Sequence, residues 1–486
     1  MTYEEAVRYL LTLGSELAAP RQPASMGGGP GRVAKFDLHN ITVLADRLGS
    51  PHRAYPSIHV AGTNGKGSTA AMLESILRRA GLKTGLYTSP HLERINERIR
   101  INGAEISDAA FADSFTRLQA LIEALLAAGH EASGLKAHPT FFECLTAMAF
   151  DCFARESVDF AVFEVGMGGR LDSTNIVAPE VAVITQIDFD HENYLGHSIE
   201  EIAGEKAGII KSNAWVVSAA ERPEARAVIR RRAEEMNARL VEIDAAYNVE
   251  SLVVGATLGS PALGGASPAP TTLRAREVGS NWQMELAVPL AGRFQVRNAV
   301  TAVAAARLLA EHGFRISDAA LRDGIATVEW PGRLELLQEH PAVYLDGTHN
   351  PAGARELLRF WEEHFAGRRI HLVYGAVRDK AVDEIAGLLF PRAASVVLTQ
   401  AKTSRAISAA ALKEITAHLA PDAEVLADPA AAFERALERA AADDVVFGTG
   451  SLYLVGDLRR WWRLSRAGLA RDKRAAPGEA AHRAAS

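Results

Sequence analysis

Apolar run, glycine-rich turn and helix-forming stretch follow one another without a gap in "SIHVAGTNGKGSTAAML", Ser57 to Leu73. That succession constrains the fold more than any other feature. A buried strand that feeds directly into a helix belongs to a βαβ unit, and such units build parallel sheets. The turn also has a chemistry. A strand ending at Val60 and a helix opening near Gly67 aim several backbone N–H groups and a helix N-terminus at an anion. Lys66 adds a positive charge for β and γ phosphates, and Ser68 or Thr69 a hydroxyl for Mg²⁺ or a phosphate oxygen. The usual pattern G-x-x-x-x-G-K-[ST] is broken, because Gly67 stands between Lys66 and Ser68.

The same alternation continues along the chain. "YPSIHVAG", "KTGLYTS", "VDFAVFEVG", "PEVAVITQI" and "AWVVSAA" read as strands separated by helical periodicity. It restarts beyond Val343 with "VYLDG", "RIHLVYGAV", "ASVVLTQ", "AEVLAD" and "DDVVFGTG", which implies a second, smaller α/β domain. Pro331 and Gly332 in "VEWPGRLELL" interrupt a helical pattern and place the boundary there, giving domains at 1–328 and 329–464. Residues 465–486 are expected to be a disordered tail, "APRQPASMGGGPGRV" a mobile loop, and Gly255 to Pro270 a loop between strands.

With 486 residues, two or three domains are expected. A hydrophobic share of 48% supplies their cores, and a formal net charge of −6 gives no general basic field for a nucleic-acid backbone. Small-molecule chemistry is favoured. Two cysteines, Cys144 and Cys152, fall in one helical stretch and make no disulfide framework. No apolar run is long enough to span a membrane, and "MTYEEAVRYLLTLG" lacks the marks of a signal peptide, so a cytoplasmic protein is expected.

Three further stretches carry candidate chemistry. Glu164 ends the strand "VDFAVFE", at the edge where parallel sheets place ligands; the glycines after it, "VGMGGRLDSTN", do not form a dinucleotide fingerprint. Asp188, Asp190 and His191 leave the next strand and suit a divalent metal. By itself "SIEEIAGEKAGIIKSN" reads as a charged helix face in which Glu205 and Lys206 pair.

Taken in order, "VAGTNGKGSTAAMLESIL", "GLYTSPHLERINERIRING", "TFFECLTAMAF", "EVGMGGRLDSTN", "ITQIDFDHENYLG", "EKAGIIK", "WPGRLE", "DGTHNP" and "FGTGSLYLVGD" resemble folylpolyglutamate synthase and dihydrofolate synthase of the Mur ligase superfamily, over roughly Lys35 to Asp457. The resemblance implies an α/β fold: a P-loop-containing Mur-ligase-like domain, then a smaller Rossmann-like C-terminal glutamate-ligase domain. It implies that Thr63, Asn64, Gly65, Lys66, Gly67 and Ser68 hold ATP, with Asn298, Arg333 and Asp346 as further ATP contacts. Ser89, Glu164, His191 and Lys206 then organise two Mg²⁺ ions, the lysine of "EKAGI" being carbamylated in this family. His349 is similar to the family's histidine near the reaction centre. Thr140, Phe141, Phe142, Glu143 and Arg170 resemble the pterin site. The early "KFDLHNI" departs from the family pattern by Asp37 in place of glycine.

The implied activity is ATP-dependent joining of L-glutamate to dihydropteroate, to a reduced folate, or to both, through an acyl phosphate, by a monomer without nucleic-acid or membrane partners. Two rivals stand beside it. A peptidoglycan-building Mur ligase shares the chemistry but needs a further N-terminal domain, for which too little chain precedes Gly62. An ATP-hydrolysing switch needs neither the "TFFE" nor the "DGTHNP" region.

Overall fold

The computed structural model describes residues 1–13, 37–253 and 270–475. The expected N-terminal mobile loop, nearly all of the Gly255 to Pro270 loop and residues 476–486 of the expected tail lie outside the described residues. The chain forms two compact units: the described residues up to Pro331, with Arg355–Phe360, belong to the first, and Gly332–Ala354 and the described residues from Trp361 to the second.

The first unit is built on strands β1 (Ser57–Ala61), β2 (Thr84–Tyr87), β3 (Ile99–Ile101), β4 (Ala104–Glu105), β5 (Phe160–Glu164), β6 (Val181–Ile184), β7 (Trp215–Ser218) and β8 (Arg239–Glu242). They form one sheet in the order β4-β3-β2-β5-β1-β6-β7-β8. From β2 to β8 every pairing is parallel, and β3 and β4 extend the edge as an antiparallel hairpin. Side chains alternate across the sheet. Phe160 and Val162 of β5 join a core with the helices Lys66–Arg79 and Arg293–Glu311. Ala161 and Phe163 face a second core that holds the helices Asp108–Ala127 and Phe141–Arg155. Each fully buried phenylalanine there contributes about 2–3 kcal/mol.

Three further strands, β9 (Tyr247–Val253), β10 (Thr271–Glu277) and β11 (Gln283–Val288), make a separate antiparallel sheet in the order β11-β10-β9. Its inner residues Leu273, Ala275 and Leu286 pack into the first core.

In the second unit, β12 (Glu335–Glu339), β13 (Ala342–Leu345), β14 (Ile370–Tyr374), β15 (Ser395–Leu398), β16 (Glu424–Val425) and β17 (Val445–Thr449) form a sheet in the order β12-β13-β17-β14-β15-β16. All pairs but β12–β13 are parallel. Tyr344 of β13 stacks on Phe447 of β17 at 5.1 Å, with Trp361 against the same ring at 5.1 Å. One difference from the sequence reading lies at the C-terminus: the helix Leu452–Ala475 runs past Leu464, where a disordered tail is expected. The reason is local. That stretch is rich in Ala, Leu and Arg, the strongest helix formers, and contains neither Pro nor a run of Gly.

Candidate active site

Parallel pairing puts the carboxyl ends of the central strands along one edge. Val60 of β1 lies beside Glu164 of β5, Ala61 beside Ile184 of β6, and Tyr87 of β2 beside Phe163. The loop 62–65, Ser89, Glu164 and the segment 185–191 therefore emerge together, at the place where open α/β sheets bind ligands.

The glycine-rich turn is tied down on several sides. Thr63 donates its backbone N–H to Gln186 (2.7 Å) and its hydroxyl to the Asp188 carbonyl (2.9 Å). Thr185 donates its hydroxyl to the Asn64 carbonyl at 2.7 Å. Gly65 caps the helix with φ of 88°, and a Cβ there would come within 2.4 Å of Asn298 Oδ1. Only glycine meets both demands. Lys66 opens the helix, and its Nζ donates to the Gly62 and Thr63 carbonyls, each at 3.1 Å. A Cβ on Gly67 would stand 3.2 Å from the Trp330 indole and 3.4 Å from Glu164 Oε1. The residue that breaks the common pattern is thus the one that lets the indole and the carboxylate close on the loop.

Glu164 is buried, and its Oε2 accepts from the Ser89 backbone N–H at 3.0 Å. Lys206 comes from the helix Ile199–Ala207, which Ser198 and Glu201 start with a capping box. It is buried, and its Nζ donates to the Gly62 carbonyl at 2.7 Å. The expected Glu205–Lys206 pair is not made. Glu205 instead accepts from Arg170 at 2.7 Å, because consecutive helical residues point to different faces and only Lys206 points to the loop. Two ammonium groups, Lys66 and Lys206, converge on one carbonyl oxygen.

Asp188 Oδ1 accepts from Arg222 at 2.8 Å and from the Phe189 N–H, which ties the segment down. His191 has left-handed backbone (φ 52°) at the start of a short helix, and its N–H donates to Asp190 Oδ1 at 2.9 Å. Among the described residues no group of three or more His, Cys, Asp or Glu side chains is close enough to hold a metal ion.

Thr140 and Glu143 form the capping box of the helix Phe141–Arg155, Thr140 N–H donating to Glu143 Oε2 at 2.7 Å. Burial pushes the Glu143 carboxyl up, against the hydrogen bonds from Thr140 that pull it down. Phe141 is buried beneath the Arg98 guanidinium, 5.4 Å from its ring centre. Phe142 lies against Gly166, where a Cβ would meet its ring at 2.5 Å. "TFFE" and the glycine cluster after β5 are therefore neighbours. Beneath them runs a buried chain that the sequence reading missed: His59 Nε2 bonds Thr174 Oγ1 (2.8 Å), Thr174 donates to Asp172, and Asp172 also holds the Met167 N–H (2.9 Å).

In the second unit, Asp346 is buried and accepts from the Leu334 N–H (2.9 Å) and the Thr348 N–H (3.0 Å). Arg333 Nη1 lies 2.2 Å from where a Cβ on Gly347 would stand, so this glycine makes room for the guanidinium. His349 donates from Nδ1 to the Gly347 carbonyl at 2.7 Å. Asn350 caps the helix Pro351–His364.

With this geometry in view, residues 60–306 match the Mur ligase middle domain and residues 332–452 the Mur ligase glutamate ligase domain. A dihydrofolate synthase/folylpolyglutamate synthase of Bacillus subtilis is 38% identical over 88% of this chain and 95% of its own. The chain belongs to this family. Folylpolyglutamate/dihydrofolate synthases with solved structures superpose closely. One from Mycobacterium tuberculosis, complexed with ADP and AMPPCP, has a TM-score of 0.77 at 35% identity, covering 88% of this chain and 95% of that one. One from Yersinia pestis, complexed with AMPPNP and Mn ion, has a TM-score of 0.75 at 29% identity, covering 97% and 98%. As a member of the family, the chain is an acid–amino-acid ligase that forms C–N bonds. Besides the His59 chain, sequence reasoning missed Thr185, Gln295 and Trp330 at the loop. Gln295 left a signal, since it and Asn298 put amides three residues apart on an otherwise Ala-rich helix.

Proposed function

We propose that this enzyme uses ATP to activate a pterin-bearing carboxylate and joins L-glutamate to it, acting on dihydropteroate, on the glutamyl chain of a reduced folate, or on both. The observation that carries the reading is the convergence of Lys66 and Lys206 on the Gly62 carbonyl, in a glycine turn at the carboxyl edge of a parallel sheet. Lys66 beside backbone N–H groups forms an anion site, and Lys206, brought to the same turn, faces it once carbamylated as a metal-binding carboxylate rather than a second cation. The γ-phosphoryl group passes to the substrate carboxylate, giving an acyl phosphate and ADP. Lys66 and the loop amides stabilise the charge spread over the transferring oxygens. The amino group of glutamate then attacks the activated carbonyl, and phosphate leaves as the amide forms. The first unit supplies the ATP and pterin sites. Arg333, Asp346 and His349, which lie in the second unit, are assigned to nucleotide and reaction centre on the family resemblance alone.

Ser89, Glu164, His191 and a carbamylated Lys206 suit Mg²⁺. Their donors are mostly oxygen, and four side chains shared between two ions would leave positions of each octahedron for water and substrate phosphates, as expected for a cation that binds one or two carboxylates together with phosphates. When bound, Mg²⁺ neutralises phosphate charge. Thr140 to Glu143 and Arg170 are assigned to the pterin. The enzyme is proposed to be cytoplasmic and monomeric. No helix among the described residues is long and apolar enough to cross a membrane. The test is glutamate-dependent ADP release with dihydropteroate, tetrahydrofolate and a muramyl nucleotide in parallel. Stimulation by a pterin substrate is expected. Stimulation by the muramyl nucleotide alone, or ADP release indifferent to all three, overturns the reading.

A further inference from the structure

The Ser68 hydroxyl sits on the phosphate loop, where it can serve either as a lone-pair ligand to a cation or as a donor to a phosphate oxygen. The helix Arg293–Glu311 decides between them. Gln295 is fully buried, and its Nε2 points at Ser68 Oγ, 3.3 Å away. Its other end is held, because Asn298 donates from Nδ2 to Gln295 Oε1 at 2.9 Å. An amide whose oxygen already accepts from Asn298 must present its NH₂ group, not its oxygen, to Ser68. Asn298 in turn is braced on the loop, with its Oδ1 against Gly65. Residues 295 and 298, one turn apart on one helix, thus grip residues 65 and 68 of the loop.

We infer that Gln295 is a positioning residue that occupies a lone pair of Ser68 Oγ and so turns the hydroxyl proton toward the nucleotide, making Ser68 a phosphate donor rather than a Mg²⁺ ligand. A hydroxyl has one proton and two acceptor sites, and the Gln295 donor takes one of the sites. That donor turns the hydroxyl proton away from itself, leaving the proton and one lone pair on the nucleotide side, where a phosphate oxygen takes the proton in a charge-assisted bond. The inference rests on the reading of 62–68 as an ATP loop.

The test compares Gln295→Met, Gln295→Glu, Ser68→Ala and the double variant Gln295→Met/Ser68→Ala, each first checked for an unchanged unfolding transition. Loss of one hydrogen bond to a charged oxygen is expected to raise the KM for ATP by roughly ten- to a hundredfold. Gln295→Met should give part of that rise, and Gln295→Glu more, since a carboxylate would draw the Ser68 proton to itself. The double variant should be no worse than Ser68→Ala, because Gln295 acts through Ser68. The Mg²⁺ concentration for half-maximal rate should stay unchanged in all four. A raised Mg²⁺ requirement in Ser68→Ala makes Ser68 a metal ligand and overturns the inference, as does full additivity of the two substitutions. Failure of the parent enzyme to bind MgAMPPNP in a direct titration would instead strike at the ATP reading itself.

Discussion

Gly67 shows how one residue can be read twice. As sequence it is a departure from the phosphate-loop pattern; as structure it is the space into which the Trp330 indole and Glu164 fit. Restoring the common residue by Gly67→Ser adds a Cβ that is too close to the ring, and overpacking of this kind costs about 1–3 kcal/mol. The expected outcome is a lower unfolding temperature with a higher KM for ATP, both partly relieved by Trp330→Leu in the same chain. A fully active, equally stable Gly67→Ser enzyme would show that the glycine has no such duty. Lys206 was legible only through the family resemblance. Its neighbour Glu205 offered an obvious partner, and nothing in the spacing told that helix rotation would send one side chain to Arg170 and the other to Gly62. Carbamylation would remove one of two converging cations while keeping an N–H for the Gly62 carbonyl. We therefore expect intact-protein mass to show one added carboxyl group that is lost in Lys206→Arg. Lys206→Ala should lose roughly a hundredfold or more in kcat, the scale of a lost electrostatic contact in the transition state, and recover part of it with added formate or acetate. An unmodified lysine in fully active enzyme would overturn this.

Whole elements were legible where they are buried on both faces. The runs at β1, β2, β5, β6 and β7, and at β13, β14, β15 and β17, are apolar because helices cover both sides of a parallel sheet, and such runs stand out from their surroundings; β16, a two-residue edge strand with Val425 exposed, was found through its neighbours' rhythm instead. β3, β4 and β8 to β12 did not stand out. They sit at sheet edges or in an antiparallel sheet with one wet face, where "TTLRARE" and "QMELAV" alternate too weakly to be told from loop or helix. β1 also carries a buried histidine that the periodicity could not distinguish from an outward-facing one. Burial, and to a lesser degree the Lys211 ammonium, push the His59 imidazole down to about 3. An unfolded histidine titrates near 6.5, so between about pH 3 and 6.5 the unfolded chain binds more protons and stability rises with pH. This contribution is fully present above about pH 6.5 and fades below it. Asp172, raised by burial, slopes the other way, so the readout is the difference between parent and His59→Gln, whose amide can still donate to Thr174. The parent should lose more stability than the variant in urea titrations from pH 7 to pH 5. Parallel losses would remove His59 as the cause.

For the molecule as a whole, net charge gives little help in gathering its substrates. At −6 the chain repels polyanions at long range, so nucleotide affinity must come from short-range contacts, chief among them the cations and N–H groups gathered at the loop. Those groups all belong to the first unit, and this sets how the chain should respond to ligand on heating. A chain of two compact units need not melt in one step. A ligand present at a hundred times its Kd stabilises the state that binds it by about 2.7 kcal/mol, which for a unit of more than about 300 residues is roughly 4 °C. MgAMPPNP should therefore raise one calorimetric transition and do so no longer in Lys66→Ala. Asn350→Ala removes the helix cap in the second unit and costs about 1 kcal/mol there. Its effect should fall on the other transition. If both perturbations move a single transition by amounts that simply add, the units unfold as one cooperative block. If they move separate ones, the phosphate loop's energetics are confined to the unit that carries it.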